Sequence, residues 1–161
     1  TRHYGPFFQQ SLTDPTVEPV YKTEKSSSGV RYHEAPWAWR LRMVEAIAKS
    51  LDTEKYGVKE LYVFGSSINE TATPQSDIDL IVYFDGTQKQ KAELQHWLDG
   101  WSKSLTQFNF EKTGYVVSQM VDAKFITDFD FENNTSLVQK MNSLNDFAKK
   151  LELKHKYQKN T

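Results

Sequence analysis

Two short apolar runs separated by a polar loop constrain this chain more than any other feature. Leu61-Tyr62-Val63-Phe64 is rich in β-branched and aromatic residues and stops at Gly65, which reads as a buried strand. A polar stretch from Ser66 to Ser76 follows. Asp77-Ile78-Asp79-Leu80-Ile81-Val82-Tyr83-Phe84 then reads as a second strand, closed by the Asp85-Gly86 turn. Side chains alternate along a strand, so Asp77 and Asp79 point one way while Ile78, Leu80 and Val82 pack on the other face. Carboxylates so placed repel one another. They are tolerated when a cation bridges them or water solvates them, and oxygen ligands of this hard type suit magnesium or manganese. Two-metal phosphoryl-transfer sites require carboxylates grouped in this way. The alternative is that both are loop and strand-start acids, solvated or capping the turn.

Gly65 ends the first strand just before a helical turn. Its missing side chain lets a phosphate approach the backbone amides there, and Ser66 adds a hydroxyl donor. An ordinary strand-to-helix turn with an N-cap serine would use the same two residues, and the two readings are compatible. Ser67, Asn69 and Thr71 are within the same loop and offer further polar groups to a phosphate, although short polar residues are what a turn uses anyway.

The remaining pattern predicts an α+β fold: a mixed, mostly antiparallel central sheet flanked by helices, with a C-terminal helix. Pro36 opens a helix in which Trp37, Leu41, Val44, Ala48 and Leu51 recur at helical spacing, with Arg40 and Arg42 mostly elsewhere. Gly57 is a plausible stop. Leu94, Trp97, Leu98, Trp101 and Leu105 fall on one face of a second helix between Gln88 and Leu105. Tyr115 to Val117 and Met120 to Ile126 look like strands, and Asn133 or Asn134 can cap a last helix carrying Leu137, Met141, Leu144, Ala148 and Leu151. Residues 1–33, with Pro6, Pro15, Pro19 and the Ser26-Ser27-Ser28-Gly29 run, read as an irregular arm or linker before a folded domain over 34–161. The start at Thr1 suggests a domain cut from a longer protein.

Composition narrows the function classes. The formal net charge of −1 gives no global attraction for a polyanion, and the basic tail from Lys149 to Lys159 reads as a solvated face, so nucleic acid is disfavoured as a partner. The absence of cysteine removes disulfides, thiolate zinc sites and cysteine nucleophiles. The widely spaced His3, His33, His96 and His155 show no metal-ligand pattern. No run approaches the roughly 20 apolar residues of a membrane span, and a cytoplasmic protein is the default. Trp37, Trp39, Trp97 and Trp101 could stack a base, but helical core faces are the commoner use. Arg40 and Arg42 could reach a triphosphate, and a solvated helix face explains them equally.

Gly65-Ser66, ten intervening residues and Asp77-Ile78-Asp79 resemble the signature of the DNA-polymerase-beta-like nucleotidyltransferases. That resemblance implies transfer of a nucleoside monophosphate from a nucleoside triphosphate, with ATP as donor, to an acceptor hydroxyl on a small molecule or protein. It implies Asp77 and Asp79 as catalytic ligands of Mg2+ or Mn2+, and Gly65, Ser66 and Ser67 as nucleotide-binding residues. It also implies a third carboxylate on a later strand. Asp122, inside Met120-Val121-Asp122-Ala123-Lys124-Phe125-Ile126, is the choice, with Asp128 and Asp130 as rivals. The family core would span roughly Pro36 to Ile126. A weaker resemblance, through Arg31 to Arg40, His96 to Trp101 and Thr113-Gly114-Tyr115, is to nucleotidyltransferase domains joined to phosphoenolpyruvate-synthase-like proteins. Two other classes stay open: a non-catalytic nucleotide-binding or regulatory module that keeps the fold, and a calcium-binding or purely structural domain. The last leaves the Gly65-Ser66 spacing unexplained and lacks a calcium-loop pattern.

Overall fold

A computed structural model describes residues 34–143 and 148–154. The arm expected over residues 1–33 lies outside them. The elements in chain order are α1 (Pro36–Ser50), α2 (Thr53–Tyr56), β1 (Val58–Phe64), a single 3-10 turn (Gly65–Ser67), β2 (Ile78–Phe84) and α3 (Gln88–Thr113). There follow β3 (Val121–Ile126), α4 (Asp128–Glu132), α5 (Ser136–Met141) and β4 (Lys149–Lys150).

The strands form one four-stranded sheet in the order β3-β2-β1-β4. β1 pairs antiparallel with both β2 and β4, and β2 pairs parallel with β3. A parallel neighbour requires a crossover, and α3 supplies it. The sheet is therefore mixed and mostly antiparallel, as the sequence leads one to expect.

Alternation sorts the strands into two faces. Leu61 and Val63 of β1, Ile78, Leu80, Val82 and Phe84 of β2, and Val121 of β3 join the main core, with Trp39, Val44, Ile47 and Ala48 of α1 and Leu94, Leu98 and Leu105 of α3. Phe64, Ile81 and Ile126 join Met141 of α5 in a smaller cluster on the opposite face. Asp79 lies between Ile78 and Leu80 and so belongs to the second, thinner face.

The helices show where hydrophobic spacing alone misleads. α1 opens at Pro36 as expected, and Val44, Ala48 and the following Leu51 are buried as expected, but Trp37 and Leu41 are only partly buried while Trp39, Arg40 and Ile47 lie inside. Arg40 is thus inside, not on a solvated face. α3 begins in a capping box between Thr87 and Gln90 and runs past Leu105 to Thr113, stopping at Gly114 in the left-handed conformation. Its last two turns are held by the buried polar residues Asn109 and Thr113, which an apolar pattern does not show.

Two further elements differ from expectation. Tyr115 to Val117 forms no strand, and Met120 instead extends the β2–β3 pairing by accepting a hydrogen bond from the Ile78 amide at 2.7 Å. The long last helix is replaced by the short α5 and by β4, just after which the Leu151 amide donates to the Leu61 carbonyl at 2.8 Å. Leu144 lies outside the described residues. Among the described residues no helix is long and apolar enough to cross a membrane.

Candidate active site

Parallel pairing of β2 with β3 puts Asp79 opposite Asp122 in register, on the thin face of the sheet. Asp77 precedes β2 and shares the parity of Asp79. The three carboxylates each place an oxygen within 4.8 Å of the others, and all three are partly buried. Asp122, expected as the third acid, is therefore where the pair needs it. Its rivals are employed elsewhere. Asp128 accepts from the Tyr83 hydroxyl and from Lys59, while Asp130 closes a capping box with Thr127 and accepts from the Thr135 hydroxyl at 3.0 Å.

Gly65 shapes the site from β1. Its φ of +79° lies in the region that favours glycine, and a Cβ there would come within 3.0 Å of Oδ2 of Asp79. The turn that follows is tight, with the Ile68 and Asn69 amides both donating to the Gly65 carbonyl at 3.0 Å. Gly65 and Ser66 remain partly exposed beside the carboxylates, whereas Ser67 is 1% exposed. The Ser67 hydroxyl has no hydrogen-bond partner, unlike any other buried side-chain polar atom among the described residues.

Burial raises the Asp79 carboxyl above its usual range, and Asp77 and Asp122 add to that rise while Lys124 and Lys140 oppose it. Lys124 Nζ lies 3.6 Å from Oδ2 of Asp122. The two lysines stand 5.7 and 4.8 Å from the centroid of the Phe64 ring, next to Gly65. Sequence reading missed both, because a lysine in a strand and one in a short helix carry no motif of their own. A set of three hard oxygen donors fits a divalent cation.

Arg40 approaches from the other side. Burial pushes its guanidinium down to about 10, and the Asp77 carboxylate opposes that shift.

Residues 44–152 match the family model described as nucleotidyltransferase domain. The chain belongs to this family. The match covers Gly65, Ser66, Ser67, Asp77, Asp79 and Asp122 and runs on through β4. Comparison with curated proteins and with solved structures finds no match. Nothing in these comparisons supports a joined phosphoenolpyruvate-synthase-like protein.

Proposed function

We propose that this nucleotidyltransferase domain transfers a nucleoside monophosphate from a nucleoside triphosphate, with ATP as donor, to an acceptor hydroxyl of a small molecule or protein. The observation that carries the reading is the meeting of Asp77 and Asp79, at the start of β2, with Asp122 of β3 within 4.8 Å. A module that only bound nucleotide would not need a third acid in register with Asp79.

Asp77, Asp79 and Asp122 would hold Mg2+ or Mn2+, which when bound offsets phosphate charge and polarises the phosphoryl oxygens. The chain's own groups do the rest. Gly65 leaves room for phosphate beside Asp79 because a side chain there would already crowd Oδ2. Ser66 donates a hydroxyl to the triphosphate, and Ser67 has a hydroxyl still without a partner. Lys124 and Lys140 set positive charge beside the carboxylates, where a polyphosphate gains most from it. A carboxylate oxygen of Asp122 takes the proton of the acceptor hydroxyl as its oxygen attacks the α-phosphorus. The bond from that phosphorus to the bridging oxygen breaks, and pyrophosphate leaves.

Calorimetric titration of each of the four common nucleoside triphosphates, with and without Mg2+, tests the reading. Binding that needs the metal and disappears in Asp77→Ala/Asp79→Ala is expected. A well-folded wild-type chain that binds none of them would sink it.

A further inference from the structure

Arg40 is buried to 0% exposure between α1, α3 and the loop before β2. Its Nε and Nη2 donate to the Ser76 carbonyl at 3.1 and 2.8 Å, its Nη1 to the Pro36 carbonyl at 3.1 Å and its Nη2 to Oδ1 of Asn109 at 3.3 Å. Each of these acceptors is a neutral oxygen. The guanidinium carbon also lies 4.5 Å from the Trp39 ring centroid. Asn109 is likewise at 0% exposure, and its Nδ2 donates to the Pro74 carbonyl at 2.9 Å and the Tyr115 carbonyl at 3.2 Å.

A buried cation with no acid among its hydrogen-bond partners is costly, and apolar residues of similar volume usually fill a helix interface at least as stably. What this pair secures is a loop. Ser76 is gripped through its carbonyl by Arg40, while on the far side of Asp77 the Ile78 amide is fixed to the Met120 carbonyl at 2.7 Å. Asp77 is thus bracketed by two pinned peptide groups. Asp79 and Asp122 need no such help, because they ride on paired strands.

We propose that Arg40, with Asn109, is a positioning residue for the metal site: it holds the Pro74–Ser76 backbone so that the Asp77 carboxylate enters the cluster formed by Asp79 and Asp122. This inference rests on the metal reading above. Arg40 precedes the stretch 44–152 that matches the family, whereas Asn109 and the Pro74–Ser76 loop lie within it.

The test is Mn2+ binding to the full chain, followed by electron paramagnetic resonance of the free ion, well below the melting temperature. We expect Arg40→Met to weaken Mn2+ binding roughly tenfold, the loss of one well-placed ligand contact. Arg40→Lys should recover part of it, since an ammonium reaches Ser76 but cannot also bridge to Asn109. Ile47→Ala, which removes buried apolar volume two turns further along α1, should lower stability and leave Mn2+ affinity unchanged. Wild-type affinity in Arg40→Met, or an equal loss in Ile47→Ala, overturns the inference and leaves the metal reading intact. Should Arg40→Met not fold, Asn109→Ala carries the same expectation, and wild-type affinity there overturns it. A wild-type chain that binds no Mn2+ overturns the metal reading and this inference together.

Discussion

Asp79 on β2 and Asp122 on β3 are register partners across a parallel strand pair, and Asp77 completes with them a cluster of oxygens within 4.8 Å. Burial and the Asp77 charge raise the Asp79 carboxyl, so the folded chain holds that proton more tightly than the unfolded chain does. Stability therefore falls as pH rises from the ordinary aspartate range, about 3.9, through the raised value of Asp79, and the penalty is complete above it. We expect metal-free Asp79→Asn to melt higher than wild type at neutral pH, with the difference shrinking towards about pH 4. Calorimetry in chelator checks this. A variant that melts no higher than wild type at neutral pH would refute it.

A cation bound among these acids should reverse the penalty. Anything that binds only the folded state at 100 times its dissociation constant adds about 2.7 kcal/mol, which for a domain of this size raises the melting temperature by roughly 5 to 10 °C. Mg2+ or Mn2+ should do so for wild type and fail to do so for Asp77→Asn/Asp79→Asn. Thermal melts over a metal titration distinguish the cases, and equal shifts in both proteins would place the ion elsewhere.

Gly65→Ala should damage both fold and site. At a φ of +79° a Cβ costs about 1–2 kcal/mol, and here it would also stand 3.0 Å from Oδ2 of Asp79. Relief requires Asp79 to turn away from Asp77 and Asp122. We expect a lower denaturant midpoint together with at least a tenfold weaker Mn2+ affinity. Unchanged metal affinity in the destabilised variant would show that Asp79 can yield without cost.

What the sequence made legible was the part built on alternation. Strand parity set Asp77 and Asp79 on one face, and apolar flanks singled out Asp122, because a strand in a half-buried sheet leaves a period-two trace. The part built on polar burial left none. Reach to a triphosphate and a solvated helix face explain Arg40 equally well from sequence, and neither places it in the interior; the last turns of α3 went unseen because Asn109 and Thr113 hold them instead of leucines. Helical spacing from Leu137 to Leu151 suggested one continuous helix, yet the chain leaves α5 at Met141 and returns as β4. Edge pairing with β1 is a long-range contact that overrides local periodicity.

That override can be measured at Leu151. It is 3% exposed, belongs to the main core and is anchored through its amide to Leu61. Leu151→Ala should cost about 2–5 kcal/mol, the range for a buried leucine that leaves a cavity. The exposed neighbour Glu152→Ala should stay within about 0.5 kcal/mol of wild type. Urea denaturation reads both, and equal midpoints would mean that β4 is not part of the cooperative fold.

Lys124 and Lys140 flank the same end of β1, 5.7 and 4.8 Å from the Phe64 ring centroid, and both lower the Asp79 carboxyl against its acidic neighbours. Their charges act oppositely on the two ligands of the site. A cation beside the acids opposes a bound metal ion but favours a polyphosphate, so removing one should separate the two affinities. Lys140→Ala should weaken nucleoside triphosphate binding in saturating Mg2+ roughly tenfold, about 1.4 kcal/mol, and reduce its salt dependence. Lys124→Ala, which also removes the 3.6 Å contact to Asp122, should tighten Mn2+ alone while weakening the nucleotide. Calorimetry with the metal and then with the metal-nucleotide complex resolves the two effects. If both variants bind the nucleotide as wild type does, the triphosphate lies on another side of the carboxylates and the lysines serve only to moderate their repulsion.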